Sequence, residues 1–461
     1  MFFTLANSYP GYDWKVGYTL TQRFVFGIYG SWFGIMVRIM VSIVNYASAA
    51  WLGGLAVNMI LDSWSQHYLH LPNTLTRHVA MATKEPIEYI LFNVICVFSY
   101  LWKPHQINKI MIFSCIASCF AMVGMVIYLC RENGGVGEFF VSTKLTVTGS
   151  TKRWAWVYMI SYWFCSVSPT STNQSDFSHF GSSQTAIWLG TICALLIPAS
   201  VIPIFGIIGA STCKDLYGTA FWMPTDIFDY WLKNGYSAGA LAAAFFCGVS
   251  FSLAQLSFTI SNAGFASGMD LAGVLPRYID IKRGAIFTAL ASVALQPWNF
   301  YNSSSTFMIV MGSFGIVTTP IIAVLICNNL VMRKRRYAVS QGFVLRGEYY
   351  YTKGVNWRAM AAWVCGMAPG LPGIAWQVNN NYFHNAGIVN FFYGDSFFSF
   401  LISFFLYWVL CLVFSLETNI LHDDKDYFDC FTDEEASKEG NGTVQSVRAA
   451  NGGGPWCAVG W

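Results

Sequence analysis

Apolar stretches long enough to cross a lipid bilayer recur along this 461-residue chain, separated by connections that carry most of its charge. A helix needs about 20 apolar residues to traverse the hydrocarbon core. Such stretches run Gly30–Trp64, Ile87–Trp102, Ile107–Tyr128, Trp154–Pro169 with an irregular continuation, and Ala186–Ser211. They continue as Ala238–Met269, Gly284–Phe300, Phe307–Val331, Trp357–Trp376 and Ser396–Phe414. With a shorter stub, Met1–Gly11, the pattern predicts ten full spans and a partial one. Only 11% of the residues are charged and 55% are hydrophobic, whereas a soluble domain covers its core with about 25% charged residues. The chain is therefore expected to be an all-α polytopic membrane protein. A soluble enzyme and a nucleic-acid binder are excluded.

The thirteen cysteines are scattered without CxxC spacing and read as small buried hydrophobes. No basic region precedes the first apolar stretch, so no separate signal peptide is expected. Lys and Arg set the orientation. Lys15, Arg23, Lys103–Lys109, Arg277–Arg283 and Arg333–Arg358 place fourteen basic residues on one side, against eight in the opposite loops. The richer side is expected to be cytoplasmic. The chain then divides into a transmembrane domain over 1–415 and a cytoplasmic, disordered tail over 416–461, acidic from Asp423 to Glu435. The Asn441 glycosylation sequon would stay unmodified there.

Several residues could carry chemistry. Arg38 is the basic residue set deepest in a span. It is expected to snorkel to the cytoplasmic surface, the other reading being a functional site inside the membrane. Glu85 and Glu88 read as interfacial, and Asp270 as a cap or orienter of the following loop. Pro169, Pro198, Pro203, Pro369 and Pro372 are expected to kink or open their helices. Gly30 with Gly34 and Gly264 with Gly268 have the spacing of close helix contacts.

Two stretches, Ser161–Ser183 and Gln255–Ser267, are too polar to face lipid. A helix opened at Pro169, with Ser166 beside it, would expose backbone groups able to hold a substrate or ion, as in transporters with discontinuous helices. Interhelical hydrogen bonding alone is the plainer alternative. His67 and His70 lack companions for a metal site, and Walker A, HExxH and GxSxG motifs are missing. Neither enzyme activity nor a cofactor or metal is expected.

In this order, Gln22–Ser31 (QRFVFGIYGS) with Arg38, Leu71–Leu75, Ser175–Phe180, Ala254–Leu256, Leu275–Gly284 and Pro297–Trp298 resemble the nucleobase:cation symporter-1 family in its fungal branch. Thr172–Ser178, Asn262–Gly273, Gly354–Trp376 and His422–Tyr427 look most like the thiamine and nicotinamide riboside transporters of that family, a likeness that fades after about Ser437. The resemblance implies a LeuT-like fold of five-plus-five inverted repeats within twelve spans. Substrate would lie between broken helices one and six and helices three and eight. It also places Met1 inside helix two, so the chain is expected to lack helix one and part of helix two, and to transport little as a fragment.

Site positions follow from the same resemblance. Where pyrimidine and hydantoin carriers have a stacking Trp and a Gln on helix three, this chain has Asn45 and Ala49. The sixth-helix aromatic falls on Val167 and the eighth-helix Asn on Ala263, beside Asn262. Loss of a ring and two amides disfavours a flat nucleobase. A cationic vitamin would suit aromatic faces such as Tyr46, Trp51, Tyr162 and Trp163. The sodium positions of helix eight fall on Ala254, Ser257 and Phe258, and phenylalanine offers no hydroxyl oxygen to sodium. A co-transported proton, or facilitated diffusion, is the expectation. The partners are then a small-molecule substrate, a proton and membrane lipid, at the plasma membrane. A uracil, uridine or allantoin permease, or a ligand-sensing receptor without transport, remain the alternatives.

Overall fold

The computed structural model describes residues 1–75, 81–102, 104–141, 149–181, 183–301, 304–379 and 385–414, with 425–426 and 445–446 beyond them. The helices in chain order are α1 (Phe2–Trp14), α2 (Tyr18–Phe26), α3 (Ser31–Trp64), α4 (Gln66–Leu69), α5 (Lys84–Ser99), α6 (Pro104–Glu132) and α7 (Glu138–Val141). Then follow α8 (Gly149–Thr172), α9 (Gln174–Ser178), α10 (Gln184–Tyr217), α11 (Pro224–Asn234), α12 (Ala238–Phe258) and α13 (Ala266–Val274). The rest are α14 (Ile281–Ala294), α15 (Trp298–Tyr301), α16 (Ser304–Ile326), α17 (Trp357–Met367), α18 (Leu371–Val378), α19 (Ala386–Tyr393) and α20 (Asp395–Val413). Each of the ten expected spans and the stub falls on one or more of these helices. Among the described residues, seven helical segments are long and apolar enough to cross a membrane. Of the tail, only Lys425–Asp426 and Gln445–Ser446 are described, as a two-residue parallel ladder; the rest of the expected disordered segment lies outside the described residues.

Burial separates lipid-facing from interior spans. Only 6% of the apolar window in Gln184–Tyr217 is buried, against 83% in Gly312–Met332. The interior is two main clusters. One joins α2, α3, α16, α17 and α20 around Phe26, Ile35, Ile321, Trp363 and Tyr407. The other joins α3, α5, α13 and α14 around Trp51, Phe92, Tyr100 and Ala285. Close approach depends on glycine: a Cβ on Gly284 would lie 2.8 Å from the Gly268 Cα, so α13 and α14 touch backbone to backbone there. Gly264 sits against the Tyr100 ring and Gly34 against the Gln22 side chain.

Pro169, Pro198 and Pro203 do not open their helices, whereas Pro369 lies at a break as expected. Helix α8 runs through Pro169 without opening and ends at Thr172. Pro169 removes the amide that would bond the Cys165 carbonyl, but the Ser168 hydroxyl donates to that carbonyl at 2.8 Å. The freed acceptor is satisfied and the helix continues. Helix α10 likewise contains Pro198 and Pro203 within 34 unbroken residues. The chain breaks instead at Asn173, between α8 and α9, and between α17 and α18 around Pro369. A further irregularity follows α12: residues Thr259–Phe265 form a π-helical segment, a widened turn common at functional positions.

Candidate functional site

The break after α8 meets the π segment. Thr170, three residues before Asn173, receives a 3.5 Å contact from the Asn262 side-chain amide. Trp163, Ser166, Val167 and Thr170 share one face of α8, because residues three and four apart line up on a helix. Trp163 stands at the exposed end of that face, 46% accessible. On α3, Asn45 is half-buried. Ala49 and Ala263 are fully buried, Ala263 in the cluster of Phe92 and Tyr100. The structure thus brings together Asn262 and the Val167–Thr170 face, and places Ala263 one step away in the packed interior. Tyr46 and Trp51 are also core residues rather than open ring faces. Of the positions assigned to a cation, Ser257 donates to the Leu253 carbonyl and lies 3.3 Å from the Ser114 hydroxyl of α6. Ala254 is half-buried, and Phe258 turns outward, 45% accessible.

Behind this contact lies a buried charge cluster that is the main correction to the sequence reading. Arg38 does not snorkel. It is 3% accessible, with Nη1 3.8 Å from Asp176 of α9 and Nε 3.5 Å from Asp270 of α13. Its guanidinium lies over the Tyr18 ring at 4.8 Å. Snorkelling fails because α2, α9 and α13 close over this face of α3, and the charge is met by partners instead of water. Asp270 accordingly faces a cation inside the protein and is not a loop cap. Asp176 also accepts from the Tyr18 amide at 2.6 Å. Asn173 joins the two halves of the site: with its amide oriented to satisfy both ends, the oxygen accepts from Arg38 Nη2 at 2.8 Å and the nitrogen donates to the Thr170 carbonyl at 2.9 Å. A polar chain therefore runs Asn262, Thr170, Asn173, Arg38 and the two carboxylates.

Helix α1 braces the break from the other side. Thr4 lies 2.9 Å from the Ser171 hydroxyl, Asn7 donates to the Ser171 carbonyl at 3.0 Å, and Ser178 donates to the Ser8 carbonyl at 2.7 Å. Two carboxylates serve one guanidinium, and neither Asp270 oxygen has a hydrogen-bond partner among the described residues. The Gln22 amide nearby is equally unpartnered.

Glu88, near the start of α5, is 1% accessible and accepts from the Tyr68 hydroxyl at 3.3 Å. Beside it, Lys84 pairs with the buried Asp62 at 2.7 Å. Asp62 and Tyr18 were not singled out by sequence. A buried arginine demands anions, and that demand is the signal pointing to Asp176 and Asp270.

Residues 1–395 match the family described as "Permease for cytosine/purines, uracil, thiamine, allantoin". The chain belongs to this permease family. Among curated relatives, it is 70% identical over 438 residues to a thiamine transporter of Saccharomyces cerevisiae, covering 95% of this chain and 73% of that protein. It is 68% identical, with the same coverage, to nicotinamide riboside transporter 1 of that yeast. Against the uracil permease of the same organism the identity is 26%, covering 92% of this chain and 69% of the permease. Among solved structures, Mhp1, a nucleobase-cation-symport-1 family transporter in a closed conformation with bromovinylhydantoin bound, superposes with a TM-score of 0.66 at 19% identity. That likeness covers 91% of this chain and 84% of Mhp1. The permease thus has the inverted-repeat transporter fold and is an integral membrane protein.

Proposed function

We propose that this permease carries thiamine or nicotinamide riboside across the plasma membrane by alternating access, with its tail in the cytoplasm. The observation that carries the reading is the similarity of 70% and 68% to transporters of these two compounds, against 26% to the uracil permease. The site residues agree in direction. Asn45 and Ala49 provide no ring and no long amide for a nucleobase edge, and Asn262 provides a single amide beside Thr170. Substrate binds between α3, the α8 break and the π segment, where irregular backbone and hydroxyls can meet a polar guest.

Transport is coupled to a proton. Arg38 balances one of its two carboxylates, and the other is the group available to take up and release a proton as the α8–α9 break moves against α3 and α13. Substrate reaches this cluster through Thr170 and Asn173.

The test is uptake of labelled thiamine and nicotinamide riboside by cells lacking their own carriers, with unlabelled thiamine, nicotinamide riboside and uracil as competitors. Saturable uptake of either vitamin, insensitive to uracil and abolished by a protonophore, is expected, in place of the low uptake read from the sequence. Competition by uracil as strong as by the vitamins overturns the substrate assignment. Uptake indifferent to the proton gradient overturns the coupling.

A further inference from the structure

Helix α1 is held at both ends. Its first turns carry Thr4, Asn7 and Ser8, bonded to Ser171 and Ser178 on the two sides of the α8–α9 break. Gly11 lies against the Ser175 carbonyl and the Ser178 hydroxyl, where no Cβ would fit, so α1 and α9 touch backbone to backbone. At its other end α1 meets the turn that follows α16. A π-helical segment, Cys327–Met332, ends that span, and Lys334 and Arg335 then take left-handed backbone angles, φ 48° and 63°. The Arg335 amide donates to the Asn329 carbonyl at 2.8 Å, which fixes the turn. Arg335 Nε donates to Asp13 at 2.8 Å, with Nη2 on the second carboxylate oxygen. The guanidinium covers the Tyr9 ring at 4.0 Å, and the Arg335 carbonyl accepts from Trp14 Nε1 at 3.0 Å. Tyr9, Asp13 and Trp14 of α1 therefore close on one arginine.

This joint is poorly suited to stabilising the fold. Left-handed angles are unfavourable for any residue that bears a Cβ, and such strain persists where it positions a group. The group positioned here is open to water: the Arg335 side chain is 39% accessible, against 12% for Asp13. Exposed ion pairs contribute little stability. A planar fork on a carboxylate is specific in geometry, however, so the joint sets the register of α1 on α16. Thr4 and Asp13 are about 13 Å apart along the helix. Through that length α1 links Arg335 rigidly to the α8–α9 break, which itself carries Asn173 between Arg38 and Thr170.

We propose that Arg335 is a latch of alternating access on the side of the 333–356 loop. Closed on Tyr9, Asp13 and Trp14, it holds α1 and the α8–α9 break against the end of α16, and it releases them when that side opens. The role rests on the transport assignment. A chain with a weakened latch spends less time closed on that side, so substrate arriving from the opposite side binds with lower apparent affinity. The test measures thiamine uptake by Asp13→Asn and Arg335→Gln chains, with hydrogen exchange of the purified full-length chains in parallel; the second variant serves if the first fails to fold. A KM about threefold higher or more, at unchanged Vmax per folded chain, is expected. The exchanged pair, Asp13→Arg with Arg335→Asp, brings KM back toward that of the unaltered chain. Amide exchange in the single variants rises together over 2–14 and 174–178, and not over 357–367. A joint that only supports the fold would lower the melting temperature and Vmax with KM unchanged, and that result overturns the latch. Exchange that rises over 9–14 alone, or nowhere, overturns it as well. If the unaltered chain takes up neither vitamin, the transport assignment fails, and joint exchange over 2–14 and 174–178 still separates a latch from a local contact.

Discussion

Replacing Arg38 with methionine leaves Asp176 and Asp270 facing each other inside the protein without their cation. With separations of 3.8 and 3.5 Å, each ion pair is worth about 4–5 kcal/mol in gross Coulomb energy at an effective dielectric near 20. Desolvation offsets much of that gain, yet removing one partner of a buried pair still costs about 3–5 kcal/mol, because the remaining charge stays buried. Such a loss lowers the folded-to-unfolded ratio by roughly 150-fold to 5,000-fold. Arg38→Met should therefore collapse the monodisperse peak of a fluorescent fusion in detergent size exclusion. Asp270→Asn should keep that peak, because Arg38 and Asp176 then remain as a balanced pair. The triple variant Arg38→Met, Asp176→Asn, Asp270→Asn should recover most of the protein lost in Arg38→Met, since no bare charge is left. If Arg38→Met alone elutes as the native chain does, or if the triple variant is no better than the single one, the cluster does not hold these elements as described.

Other outcomes follow from the same contacts. Asn262→Ala removes a 3.5 Å contact, too long to add much stability, so folding should be nearly unchanged while the KM for vitamin uptake rises. Gly284→Leu drives a side chain into the Gly268 backbone and should cost about 1–3 kcal/mol or more by overpacking, read as a lower melting temperature. Lys84→Met leaves the Asp62 carboxylate buried without its 2.7 Å partner and should lower thermal stability more than Lys233→Met, whose pair is exposed. Arg335 donates from two nitrogens to Asp13 of α1. Arg335→Asp should impair uptake, and Asp13→Arg in the same chain should restore part of it.

The packing of the charge cluster shows where sequence reasoning stops. Arg38, Asp176 and Asp270 are each visible in the sequence as ionisable residues in or beside apolar stretches, and each alone has a bland explanation: a snorkel, hydrogen bonding between helices, a cap. Their meeting depends on α9 and α13 folding back over α3, contacts spanning 138 and 232 residues that no local pattern encodes. The break in α8 was expected near its position but for the wrong reason. Proline ordinarily strips a helix of one hydrogen bond, and the neighbouring Ser168 replaces it, so the opening moves to Asn173, whose side chain is held between Arg38 and Thr170. The π segment at Thr259–Phe265 leaves no sequence signal beyond the polarity of the stretch containing it.

By itself the sequence determined that this is an integral membrane protein built of long apolar helices, because hydrocarbon imposes a length and an apolar composition on each helix independently of its neighbours. Tertiary structure alone decided which polar groups face one another and which alanines and rings vanish into the core. Those outcomes depend on the angle and register at which whole helices pack, set by contacts such as Gly268 against Gly284, and a side chain's surroundings in a membrane protein are made of residues distant in the chain.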